Sequence, residues 1–167
     1  EPLPRRKLGG ATDEAAKPYL DKIVYVRKEN GGKSSALNLA IEKATGDYIW
    51  YLDDDDIALP KKLELQMRYL QRHPEVDILF TGGLRFKDAD SRRIIFVRRT
   101  PDVNKDNLLV RFLEDCIVVG QSALVKKVCY EKAGSFRTDL VRSQDHEMWI
   151  RMARAFKIGF LDFPTVL

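Results

Sequence analysis

Four consecutive aspartates, Asp53 to Asp56, directly follow the apolar run Tyr48 to Leu52. Carboxylates this close repel one another, so each must stay hydrated or find a partner. At the C-terminal end of a buried parallel strand they would stand where open α/β sheets place their ligands. In extended backbone, side chains two apart point the same way, so Asp53 and Asp55 share a face. Two carboxylates on one face make half a site for a hard cation, magnesium or manganese. Such a cation could bridge a diphosphate and neutralise charge on a leaving group. The plainer alternative is an acidic loop whose Asp56 caps a helix beginning near Pro60.

A further carboxylate with chemical potential is Asp145, in Ser143-Gln144-Asp145-His146-Glu147-Met148-Trp149-Ile150-Arg151. Met148, Trp149, Met152 and Ala153 form the apolar face of a helix, and Asp145 falls in its first turn. There it either satisfies free amides and the helix dipole, or serves as a general base toward a hydroxyl. Histidine is the side chain whose ordinary range lies nearest neutrality, but the place of His146 beside Asp145 points it elsewhere on the helix, so it is expected at the surface. His73, before Pro74, reads as a helix-end residue.

The elements that must carry these groups follow from periodicity and punctuation. Residues 1–11 are Pro-, Gly- and Arg-rich and read as a loose arm ahead of one domain over 12–167. A short helix is expected over Asp13–Leu20, with Thr12 or Asp13 as its cap. A buried parallel strand is expected over Ile23–Val26. Glu29-Asn30-Gly31-Gly32 is a turn. A helix then places Ala36, Leu37, Ala40, Ile41 and Ala44 on one face, with Gly46 just past its end. Tyr48–Leu52 is the next strand. Pro60 opens a helix with Leu63, Met67 and Leu70 on one side. Strands are expected at Ile78–Phe80, Ile94–Arg98 (a hairpin arm) and Ile158–Leu161. Helices are expected at Asn107–Glu114, Lys126–Ala133 and Asp145–Phe156, with a turn at Gly134-Ser135-Phe136. Alternating strands and helices imply an α/β fold with a mostly parallel, Rossmann-like sheet flanked by helices.

Composition narrows the field. The 167 residues are 44% hydrophobic with a net charge of +4, ordinary for one folded domain. No apolar run approaches the roughly 20 residues of a membrane span. Arg5-Arg6-Lys7 is followed by Leu8-Gly9-Gly10 and not by an apolar core, so no signal peptide is expected. Cys116 and Cys129 lack ligand spacing and read as buried thiols of a cytoplasmic protein. Arg92, Arg93, Arg98 and Arg99 form a basic patch, either a solvated hairpin edge or a surface for anionic lipid or a phosphorylated acceptor. No nucleic-acid module accompanies the charge.

With these pieces in order, the chain resembles the inverting glycosyltransferases of family 2, which have the GT-A fold, from about Thr12 onward. The resemblance is carried by Glu29-Asn30-Gly31-Gly32-Lys33-Ser34-Ser35-Ala36-Leu37-Asn38, by Gly46-Asp47-Tyr48-Ile49 leading into Leu52-Asp53-Asp54-Asp55-Asp56 and Pro60, by Gly134-Ser135-Phe136, and by Ser143-Gln144-Asp145 with Met148-Trp149-Ile150-Arg151. It implies single-displacement transfer from a UDP- or GDP-linked sugar to a carbohydrate, lipid-linked or protein acceptor, with Mn2+ or Mg2+ as cofactor. Asp53 would contact ribose or metal, and Asp55 would hold the metal. Asp54 and Asp56 would lie in the same cluster, Asp54 toward the nucleotide, and Asp145 would be the base. Asn30, Gly32 and Lys33 would line the nucleotide, although Lys33 also reads as an exposed helix-start lysine. The family's opening strand is not found, and Leu8-Gly9 stand where its first acidic pair is expected, so the domain reads as incomplete at its N-terminus. A second copy of the chain is one way the missing surface would be supplied, and the basic patch leaves peripheral contact with the cytoplasmic membrane face open. A sugar nucleotidyltransferase would share the acidic strand end but needs a Gly-rich phosphate loop with Arg or Lys. A non-catalytic module that binds a partner or dimerises is the third reading.

Overall fold

The structure is a computed structural model that describes residues 11–86, 94–101 and 107–167. Two compact units divide after Asn30. The first contains helix α1 (Ala11–Ala16) and a 3-10 turn (Lys17–Tyr19), into which Pro18 fits because it needs no amide donor. Thr12 and Asp13 lie within α1 and not ahead of it. Asp13 accepts hydrogen bonds from Tyr25 and Arg27.

Ile23–Val26 is the largest departure from expectation. It is not a strand, and Val24 is 78% exposed. β-branched residues favour a strand only when a neighbouring strand takes up the backbone groups, and among the described residues none pairs with this run.

The second unit, residues 31–167, is a mixed sheet covered on both faces. Its described strands are β1 (Tyr48–Ile49), β2 (Ile78–Phe86), β3 (Ile94–Arg98), β4 (Leu124–Lys126) and β5 (Ile158–Val166). The order is β1-β4-β2-β3, with β5 also on β2. Only β2 and β5 run parallel. The pairs β1–β4, β2–β4 and β2–β3 are antiparallel. The α/β layering is as expected, but the parallel character is confined to one pair. Strand β4 was not legible because Leu124-Val125-Lys126 is short and runs straight into a helix.

Period-two alternation divides the core. Ile78 and Phe80 on one face of β2 pack with Phe112, Tyr130, Met148, Trp149 and Met152, while Leu79 on the other packs with Leu70, Val76 and Leu124. The first layer is built by α2 (Gly32–Lys43), α4 (Leu108–Glu114), α5 (Lys127–Ala133) and α6 (Gln144–Ala153). The second is built by α3 (Lys62–Arg72). Helix α2 closes at Ala44, two residues before the glycine expected there. Helix α3 starts two residues after Pro60, with Lys61 in the left-handed region. Its buried stripe is Lys62, Gln66 and Leu70, and Leu63 faces outward at 47% exposure. The polar pair is tolerated because both side chains donate to the Ser122 carbonyl, at 2.9 and 2.7 Å.

Two pairings fix the turn at Gly134-Ser135-Phe136. Asn38 of α2 exchanges two hydrogen bonds with the Phe136 backbone, at 2.9 and 2.8 Å. Arg151 of α6 spans Glu147, the Ala133 carbonyl and the Ser135 carbonyl. Gly134, at φ +84°, makes the reversal that ends α5.

Phe80 is fully buried, edge-on to Trp149 with ring centroids 5.0 Å apart. Phe80→Ala is expected to cost about 3–5 kcal/mol through lost burial and the cavity left behind, read as a lower urea midpoint with an unchanged m-value.

Candidate functional site

The strand that leads into the aspartates is shorter than expected. Its ladder pairing ends at Ile49, and the chain then continues past Trp50, Tyr51 and Leu52 to a tight turn in which the Asp56 amide bonds the Asp53 carbonyl at 3.2 Å. Alternation in extended backbone therefore does not govern which carboxylates meet. The turn does. Oxygens of Asp53, Asp55 and Asp56 all lie within 4.8 Å of one another, the single such convergence among the described residues. Asp54 is exposed and outside the group. Asp56 thus joins the cluster and does not cap α3, whose N-terminus has no side-chain cap.

Each carboxylate meets the repulsion differently. Asp53 Oδ2 accepts from Lys33 Nζ at 2.5 Å and from Gln121 Nε2 at 2.6 Å. Lys33, placed by the first turn of α2, is therefore a partner of the acidic turn rather than a free surface lysine. Asp55 is exposed and keeps its hydration. Asp56 is half-buried, and burial, followed by Asp53 and Asp55, raises its pKa against the opposing pull of Lys33. Close oxygens at graded burial are the donor set that a magnesium or manganese ion prefers, so the residues present fit such an ion.

The turn is anchored on both sides. After it, Ile57 and Leu167 exchange backbone hydrogen bonds at 2.6 and 2.8 Å, and the Leu59 amide bonds the Thr165 carbonyl at 2.9 Å. Before it, Trp50 donates its indole N–H to the Gln121 carbonyl at 2.7 Å. Lys62 joins these anchors: its ammonium reaches the Ser122 carbonyl and Thr165 Oγ1 and lies 4.8 Å over the Trp50 ring.

Asp145 stands in the first turn of α6, after Ser143 in the left-handed region. Its Oδ1 accepts the His146 amide at 2.9 Å. Tyr51 is within electrostatic reach of both Asp145 and the acidic turn's Asp53. Its ring stacks parallel to Trp149, carries Lys33 Nζ at 5.7 Å, and meets Phe136 edge-on. Burial first, then the charges of Asp145, Tyr130 and Asp53, raise the Tyr51 pKa, so the phenol stays protonated. His146 is not a plain surface residue: it is half-buried, with its ring Nε2 2.6 Å from the Phe112 carbonyl.

A cleft of about 470 Å³ opens beside Asp55 and Asp56, bordered by Arg85, Phe96, Val119 and Leu167. Of the expected basic patch, Arg99 pairs with Asp162 at 3.0 Å. Arg92 and Arg93 lie outside the described residues, as does the side chain of Arg98. Gly32 opens α2 with φ +81°. Asn30 belongs to the first unit.

Residues 10–134 match the family model described as Glycosyl transferase family 2. The chain belongs to glycosyltransferase family 2. It is 33% identical over 158 residues to an uncharacterized glycosyltransferase of Rickettsia felis, covering 92% of this chain and 26% of the relative. It is also 33% identical over 156 residues to an uncharacterized glycosyltransferase of Methanocaldococcus jannaschii, covering 90% of this chain and 52% of that one. This chain thus spans between about a quarter and a half of the length of these relatives. Among solved structures it is similar to TarS residues 1–349 of S. aureus, with TM-score 0.71, 16% identity, 95% of this chain and 47% of that chain. The same protein in complex with UDP-GlcNAc matches with TM-score 0.71 and 15% identity over 95% of this chain and 46% of that chain. At these identities the likeness establishes the fold, a GT-A glycosyltransferase fold.

In this family 2 domain, the structure brings Lys33, Asp53, Asp55 and Asp56 together, leaves Asp54 outside, and adds Gln121, Trp50, Tyr51 and Lys62. Tyr51 was within reach of sequence reasoning, because it stands two residues before Asp53 on an extended segment. Gln121 carries no local signal, since it reaches Asp53 across 68 residues. Lys62 was hidden by its type, because lysine is seldom fully buried.

Burial pushes Lys62 down to about 7 from the ordinary lysine value. The fold holds that proton less tightly than the unfolded chain does, so stability rises as pH climbs from about 7 toward about 10. Wild type is expected to gain melting temperature between pH 7 and pH 9 relative to Lys62→Met, as scanning calorimetry on both would read.

Proposed function

We propose that this domain transfers a glycosyl group from a nucleotide-diphosphate sugar to an acceptor hydroxyl, in one displacement with inversion. The observation that carries the reading is a three-carboxylate turn and a separate helix-borne carboxylate, Asp145, both acting on one tyrosine whose hydroxyl is buried. Family membership supports the reaction class, and the UDP-GlcNAc in the TarS complex supports a UDP-linked donor.

Asp53, Asp55 and Asp56 would hold a magnesium or manganese ion, which when bound supplies positive charge against the donor diphosphate. Lys33 would keep Asp53 in place and add positive charge near the phosphates, and Gly32 beside it would line the nucleotide. Asp145 would take the proton of the attacking hydroxyl as that oxygen bonds the anomeric carbon and the bond to the diphosphate breaks. The cleft beside Asp55, with Arg85 and Phe96 on its border, suits a carbohydrate: an aromatic ring for an apolar sugar face and ionic groups for hydroxyls.

Calorimetric titration of the chain with UDP and GDP, with and without manganese, tests the donor half. Manganese-dependent binding of UDP, lost in Asp55→Ala, is expected. Binding that needs no metal and survives the substitution would sink the metal assignment. Tighter binding of GDP would redirect the donor class. The base is tested by turnover of the intact protein with its nucleotide sugar. Asp145→Asn is expected to lower kcat about 100- to 10,000-fold with donor binding unchanged. An active Asp145→Asn enzyme would end the general-base reading.

A further inference from the structure

Tyr51 carries one atom that the packing of its ring does not explain. Its hydroxyl is buried and has no hydrogen-bond partner, and the same holds for Nε1 of fully buried Trp149. Both are donors, and a buried donor without an acceptor is costly enough that folded proteins rarely leave one. The two rings stack within 6° of parallel, with centroids 6.5 Å apart.

The backbone beside them gives the reason they are held together. A Cβ on Gly120 would come 2.7 Å from the Tyr51 hydroxyl, 3.0 Å from Asp145 Oδ2 and 3.7 Å from Trp149 Nε1. Two donors without partners and one carboxylate oxygen thus converge on the space left by a single missing side chain. The acidic turn faces Tyr51 through Asp53, and Lys33 lies over its ring. Tyr130 and Cys116 are the other titratable groups that act on it. None of these supplies the hydroxyl with an acceptor, and Asp145 Oδ2 is the anionic oxygen at that spot.

We propose that Tyr51 and Trp149 are positioning residues for Asp145, their O–H and N–H groups holding its carboxylate by hydrogen bonds across the space beside Gly120. A small rotation of the carboxylate, or one bridging water molecule, closes the gap. The inference rests on Asp145 being the base. Held this way, the carboxylate keeps one orientation toward the incoming hydroxyl. Gly120 is required because any side chain would push the donors and the carboxylate apart.

The first readout needs no substrate. In the full chain, the Trp149 indole N–H resonance, identified as the one that remains in Trp50→Phe, is expected downfield and should move upfield in Asp145→Ala. An unmoved resonance would overturn the proposal. The second uses turnover: Tyr51→Phe keeps the ring and its stacking, and is expected to lower kcat about tenfold with donor KM unchanged. Gly120→Ala should behave alike. A hydroxyl with no partner predicts the reverse, a Tyr51→Phe protein of equal or higher melting temperature with full kcat. If Asp145→Asn is inactive while Tyr51→Phe is normal, this inference fails and the proposed function stands. If Asp145→Asn is active, the proposed function fails instead.

Discussion

Mutual repulsion among carboxylates on one short turn is the constraint around which the site is built. A turn with oxygens of Asp53, Asp55 and Asp56 within 4.8 Å would spring apart in an unsupported loop. Two kinds of force oppose this. Local neutralisation acts at Asp53, whose Oδ2 accepts a hydrogen bond from Lys33 and another from Gln121. Mechanical anchoring acts on the backbone beyond it, where Ile57 and Leu59 add a short antiparallel pairing to the end of β5. The turn is thus preorganised despite its repulsion, and a bound cation would relieve that repulsion without first having to collect its ligands.

The anchors draw on distant parts of the chain. The Gly120–Ser122 turn supplies the Gln121 side chain to Asp53, the Gln121 carbonyl to Trp50, and the Ser122 carbonyl to both Lys62 and Gln66. Gly120 of that turn also sits under Tyr51 and Asp145. One three-residue segment therefore touches the acidic turn, the buried polar stripe of α3 and the helix-borne carboxylate. Buried Thr81, Ser122 and Thr165 complete the polar seam, with the two threonine hydroxyls 2.5 Å apart. Burying so much polarity is tolerable only because nearly every group in the seam is paired.

Several residues that mark the family in sequence work here as scaffold. Asn38 and Arg151 both clamp the turn that follows α5, one from α2 and one from α6. This fixes α6 against the sheet and so sets where Asp145 stands.

The sequence by itself determined the layer architecture, the run of carboxylates that follows a strand and the apolar face of α6. These are properties of periodicity, turn chemistry and charge, all set within a few residues of one another. Helices α2, α3, α5 and α6 were legible to within a few residues at each end for the same reason. The tertiary structure alone decided which carboxylates converge, because the choice of Asp56 over Asp54 depends on a turn and not on strand alternation. It decided that Ile23–Val26, with every local mark of a strand, forms none among the described residues, since a strand exists only with a neighbour. It also decided the partners of Asp53, Tyr51 and Lys62. Gln121, Gly120 and Ser122 lie tens of residues away, and proximity of that kind is created by packing the sheet between its two helical layers.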